Sequence, residues 1–176
     1  MSSMGDRISD GWPRLTLWRA GLVYLGVLVV AGLFAGWLWH TLSTPPNYTI
    51  GDDQGAIITE QGLSQAFAMD IWFMFIGLAV GLAVGVCSWA LFHRWGWPMV
   101  VMVVVGSLLA ALLAWQFGSL LGPHDFADRI ALAVPGDRVP MDLELHSIGL
   151  MLVWPLAAYV PVFVLAVWNQ ARRVDR

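Results

Sequence analysis

Residues 71–121 read IWFMFIGLAVGLAVGVCSWALFHRWGWPMVVMVVVGSLLAALLAWQFGSLL. Two long apolar runs flank His93-Arg94-Trp95-Gly96-Trp97-Pro98, a connection too short for anything but an antiparallel hairpin. The first run carries Gly77, Gly81 and Gly85; the second carries Gly106, Ala110, Ala114 and Gly118. Neighbours in each set stand four positions apart, slightly more than one helical turn. Each set therefore forms a nearly straight strip of small side chains on one helix face. Lipid tails are as apolar as leucine, so hydrophobicity does not draw helices together inside a bilayer. Close backbone approach does, and small residues permit it. Glycine and alanine are common in membrane helices whatever their role, but strips in two consecutive spans favour packing. The two strips are expected to face one another. Pro98 suits the first turn of the second helix, where its missing N–H leaves no bond unmade.

Composition agrees with a membrane protein. Of 176 residues, 59% are hydrophobic and 12% charged, with a mean hydropathy of +0.70. Soluble domains carry about a quarter charged residues. All nine basic residues are arginine, and the single Cys87 excludes an intramolecular disulfide or a thiol-pair relay.

Outward from the hairpin, Gly21–Trp39 is uncharged and long enough to cross a hydrocarbon core of about 30 Å. It ends in Trp37-Leu38-Trp39-His40 and not in a small-x-small cleavage site, so it reads as an uncleaved first span. The expected spans are 21–39, 71–92, 99–121 and 148–168, with 1–20 and 169–176 as polar termini. The fold class is all-α: four transmembrane helices in an antiparallel bundle with two long loops, 41–68 and 122–147. In the first loop, 48–50 and 56–59 flank Gly51-Asp52-Asp53-Gln54-Gly55 and read as a small β-hairpin. Ser64 is a candidate cap for the helix that enters the second span. In the second loop, 127–132 reads as a short helix and 138–145 as extended.

Arginine placement orients the bundle. Arg7, Arg14, Arg19, Arg94, Arg172, Arg173 and Arg176 fall on the termini and the short turn; only Arg129 and Arg138 fall on the long loops. By the positive-inside rule both termini are cytoplasmic and the protein is a multi-pass plasma-membrane protein. The outer side carries nine acidic residues against those two arginines, which does not suit nucleic acid.

No Asp, Glu, Arg or His lies within the four apolar cores. Pumps and coupled antiporters keep such a group there, because its cost must be repaid by function. No nucleophile elbow, phosphate loop, HExxH or CxxC occurs. His124, Glu144 and His146 fall at the outer face and are the candidate metal or ligand residues; surface histidines at a membrane interface are the plainer alternative. In the fourth span, Pro155 and Pro161 remove helical donors from the carbonyls of Met151 and Ala157. Gln116 lies about 7–8 Å below the outer boundary at 1.5 Å rise per residue. It is expected to hydrogen-bond the backbone that Pro155 frees.

Three runs together carry a resemblance: Gly77-Leu78-Ala79-Val80-Gly81; Gly106-Ser107-Leu108-Leu109-Ala110 with Leu113-Ala114-Trp115 and Leu121-Gly122-Pro123; and Val153-Trp154-Pro155-Leu156-Ala157-Ala158. Over residues 20–168 the chain resembles an actinobacterial family of four-span membrane proteins catalogued as a domain of unknown function. The resemblance implies a bacterial plasma-membrane protein with two extracytoplasmic loops, and carries over no catalytic residue. The expectation is a non-enzymatic accessory or scaffold subunit of a cell-envelope membrane complex, without a cofactor. Its partners would be the bilayer and a membrane or extracytoplasmic protein. The alternative is a membrane enzyme or ligand-binding protein with its site around His124, Glu144 and His146.

Overall fold

The computed structural model describes residues 14–51 and 56–174. Helix α1 (Arg14–Leu42) stops just before Pro45-Pro46, which cannot continue it. Strands β1 (Asn47–Ile50) and β2 (Ala56–Ile58) follow, and the turn expected between them lies outside the described residues. Helix α2 (Glu60–Phe92) meets α3 (Trp97–Leu121) through a single 3-10 turn at His93–Trp95. Gly96 closes that turn at φ +68°, a backbone conformation that side-chain-bearing residues rarely adopt. A short α4 (Phe126–Leu132) and strand β3 (Arg138–Pro140) occupy the second loop. A five-residue 3-10 segment, Ile148–Leu152, then leads into α5 (Val153–Val174). Among the described residues, four helices are long and apolar enough to cross a membrane.

Two helix ends lie beyond the apolar cores. Helix α2 begins eleven residues before Ile71, because Thr59 and not Ser64 caps it: Thr59 Oγ1 accepts the Gly62 N–H at 3.1 Å. Ser64 instead donates to the Gln61 carbonyl from within the helix. Helix α5 runs on through Asn169 and Gln170 into the arginine tail.

The small-residue strips do not face each other, contrary to the sequence expectation. Gly77, Gly81 and Gly85 lie against α5. A Cβ built on Gly81 would stand 2.6 Å from the Trp154 carbonyl oxygen, one on Gly85 would meet the Ala158 oxygen, and one on Gly77 would enter the Trp154 indole. Gly106, Ala110, Ala114 and Gly118 lie against α1. Gly32 sits over the Ala110 carbonyl (2.9 Å from a built Cβ) and Gly36 over that of Ala114 (2.6 Å). Tyr24 covers Gly106 and Trp39 covers Gly118. Residue numbers rise together across both contacts, so α1 runs parallel to α3 and α2 parallel to α5. The physical reason is that a small strip defines a face without naming its partner. Helices α2 and α3 are already joined covalently at their ends, and both small faces turn to non-consecutive helices. At Gly32, Gly36, Gly81 and Gly85 the glycine Hα points at a carbonyl of the neighbour. This is the geometry of weak Cα–H···O bonds, worth about 0.5–1 kcal/mol each.

Between these pairs the interior is filled with large side chains. Toward the long loops, Trp39, Phe73 and Trp154 are fully buried in a ladder with ring centroids 5.2 and 5.5 Å apart. Trp39 Nε1 donates to the Met69 carbonyl at 2.9 Å, tying α1 to α2. Toward the termini, the buried Tyr24 hydroxyl donates to the Met102 carbonyl (3.2 Å) and accepts from Ser88 Oγ (3.0 Å), joining α1, α2 and α3. Phe92 packs edge-on against the Tyr24 ring.

Candidate functional site

The structure separates or exposes the residues singled out for chemistry. Gln116 is exposed on the outer surface of the bundle, so it does not reach the fourth span. Nor is the Met151 carbonyl freed as expected. Pro155 falls in the first turn of α5, where no helical donor is required of it, and the preceding residues form the 3-10 segment whose own bonds use this backbone: the Val153 N–H donates to the Leu150 and Met151 carbonyls. Only Pro161 is interior to the helix. His124, Glu144 and His146 are all exposed. Among the described residues no three His, Cys, Asp or Glu side chains stand close enough together to hold a metal ion.

What the structure assembles instead is a folded cap made from both long loops. Strand β1, from the first loop, is the centre of a three-stranded sheet of order β2-β1-β3, antiparallel on both sides. Its partner β3 comes from the second loop, with Tyr48 opposite Val139 and Thr49 opposite Arg138. Further backbone bonds extend the seam: Met141 N–H to the Pro46 carbonyl at 2.8 Å, Ile50 N–H to that of Asp137 at 3.1 Å, and Gly136 N–H to that of Ile50 at 2.9 Å. Gly136, at φ +94°, supplies the turn that brings these groups together. Side chains alternate along β1 as a half-buried strand requires. Ile50 is buried and Tyr48 packs on Phe126 of α4 (5.2 Å), while Asn47 and Thr49 face outward.

One arginine organises the second loop. Arg129 donates to the His124 carbonyl (2.9 Å), to the Pro140 carbonyl (2.8 Å) and to the Asp142 carboxylate. The other Asp142 oxygen accepts the Phe126 N–H at 3.2 Å, so this carboxylate serves the start of α4 as well. Asp125, at φ +62°, makes the sharp entry into that helix.

The cap is anchored to the bundle at two points. Leu143 is buried against Gly122 at the end of α3, where an added Cβ would stand 2.7 Å from its own. Asp70 of α2, also buried, accepts the His146 N–H at 3.1 Å. Its carboxylate thereby holds the chain where it turns toward α5. Asp70 reads from sequence as a boundary residue, and its partner lies 76 positions away.

Sequence reasoning missed the seam between the loops. The only available signal was that 138–145 reads as extended beside a loop already containing strands. Comparison with family models, with curated proteins and with solved structures finds no match.

Proposed function

We propose that this is a non-enzymatic integral membrane protein, an accessory or scaffold subunit of a cell-envelope complex. In this reading the four helices form an antiparallel bundle in the plasma membrane with both termini cytoplasmic. The cap then faces outward and meets a membrane or extracytoplasmic protein. The observation that carries the proposal is the shared sheet. Two loops that could each have remained a separate excursion are pinned to one another and to the bundle, which presents a preorganised surface. Preorganisation lowers the ordering cost of binding a partner. The bundle supports the same role: its centre is filled by Trp39, Phe73 and Trp154 and by glycine-mediated backbone contacts, the construction of a rigid support.

Purification in mild detergent tests this. The expected result is a stoichiometric protein partner retained by the wild-type chain and lost from Arg129→Ala, whose bundle should remain folded. A chain that purifies alone, or a partner retained equally by the variant, would count against the proposal.

A further inference from the structure

A second feature lies at the opposite end, among the termini of the helices. Two adjoining cavities, of about 790 and 550 Å³, open between the end of α2, the α2–α3 turn and the last turns of α5; both are lined by Trp89, His93, Gly96 and Asn169. The first also reaches Trp168 and Arg172, and the second runs along the apolar Val100, Val162 and Ala166. One cleft thus has a polar, cationic mouth and an apolar wall, and among the described residues no acidic side chain lines either part.

From this geometry we infer a binding site for an anionic glycerophospholipid, its phosphate at Arg172 and its acyl chains along Val100, Val162 and Ala166. The Arg172 guanidinium lies over the Trp168 ring at 5.3 Å. Stacking fixes the plane of the fork and leaves its edge N–H groups free to meet phosphate oxygens in pairs. Among the described residues no carboxylate lies within ion-pair distance of Arg172; Asp175 is outside them. Beside it, His93 is fixed by its ring nitrogen Nδ1, which donates to the Trp89 carbonyl at 3.1 Å, and by stacking on the Trp89 ring. With Nδ1 as the donor, Nε2 of the neutral ring is an acceptor, suited to a headgroup hydroxyl and not to the phosphate.

The start of α3 adds to the field. Its N-cap Gly96 lines the cavity, so the positive end of the α3 dipole lies beside the cleft; Pro98 carries no N–H, and the Met99 N–H donates to the Gly96 carbonyl at 3.2 Å. That dipole favours an anion held nearby, in addition to Arg172. Trp89, Trp95, Trp97 and Trp168 at this end match the aromatic belt that marks lipid headgroup level. Basic pockets between membrane helices at that level suit anionic headgroups. Such a lipid site is independent of any protein partner of the cap.

Native mass spectrometry of the purified full chain, given equal amounts of phosphatidylglycerol and phosphatidylcholine, tests it. Phosphatidylglycerol should be retained in preference. Arg172→Gln should lower that retention by about fivefold, the factor one basic side chain supplies near an anionic leaflet. Arg138→Gln, at the far end on β3, should leave it unchanged. Inorganic phosphate should neither bind nor displace the lipid, since it cannot use the apolar wall. Equal retention of the two lipids, full retention by Arg172→Gln, or ready displacement by inorganic phosphate would each overturn the inference.

Discussion

Gly36 of α1 lies over the backbone carbonyl of Ala114 in α3, so close that a methyl group on Gly36 would stand 2.6 Å from that oxygen. A backbone carbonyl cannot rotate away as a flexible side chain can. The contact therefore depends on the missing Cβ, and the same holds for Gly81 over the Trp154 carbonyl.

Gly36→Ala and Gly81→Ala should each destabilise the bundle by about 1–3 kcal/mol, the usual cost of overpacking. Gly26 is the control, because nothing stands within 4 Å of a Cβ built there. Gly26→Ala should be neutral, or stabilising by up to about 1 kcal/mol, since alanine is the better helix former. Equilibrium unfolding in detergent measures all three. Equal effects at Gly26 and Gly36 would mean that the close approach is absent.

Parallel pairing can be separated from hairpin pairing by cross-linking, with Cys87 replaced by Ser. Gly32 and Leu113 approach to 2.9 Å between a built Cβ and the Leu113 Cβ. After slight relaxation that separation suits a disulfide. Gly32→Cys with Leu113→Cys should therefore oxidise readily. Gly81→Cys with Ala110→Cys, which the facing-strip arrangement would join, should not. The opposite pattern would restore that arrangement.

Arg129→Ala should loosen the second loop without unfolding the helices. It removes three hydrogen bonds, one of them an ion pair whose side chains are 30% and 24% exposed. Solvent screening at that exposure limits the ion pair to about 1 kcal/mol or less, so the loss is local. Hydrogen exchange should quicken over residues 122–142 and stay slow in α1 and α3. Unchanged exchange in the loop would show that Arg129 does not organise it.

The number and approximate place of the helices long and apolar enough to cross a membrane were legible because apolar runs of that length are a one-dimensional signal. Helix ends were less so. The residues from Glu60 to Met69 are helical but too mixed in polarity to extend the second run, and Thr59 competes with Ser64 as a cap on equal chemical terms. The partner of each strip was not legible, because spacing reveals a face and not what covers it. Gln116 misled for a related reason: depth was inferable from helical rise, direction around the axis was not. Pro155 misled because the helix restarts at Val153, a choice made by the preceding 3-10 segment. The seam of the cap joins residues some 90 positions apart, as Thr49 does to Arg138, and nothing in either loop alone announces the other.

Topology has a direct test. In a chain with Cys87→Ser, Thr49→Cys on the outward face of β1 should react with an impermeant thiol reagent in intact cells. Trp97→Cys, at the first residue of α3 where the native side chain is 77% exposed, should react only after lysis. The reverse pattern would invert the orientation drawn from arginine placement.

The claim that the cap is a docking surface is tested most directly by a photo-crosslinking residue at Thr49 in intact cells. Thr49 is outward-facing at the centre of the shared sheet. The same probe at Val30, on the apolar outer face of α1 and 67% exposed, reports background encounters within the bilayer. The account predicts one defined protein adduct from Thr49, absent from Val30 and lost when Arg129→Ala is combined with the probe. No adduct from Thr49, or the same set of adducts from both positions, would contradict it.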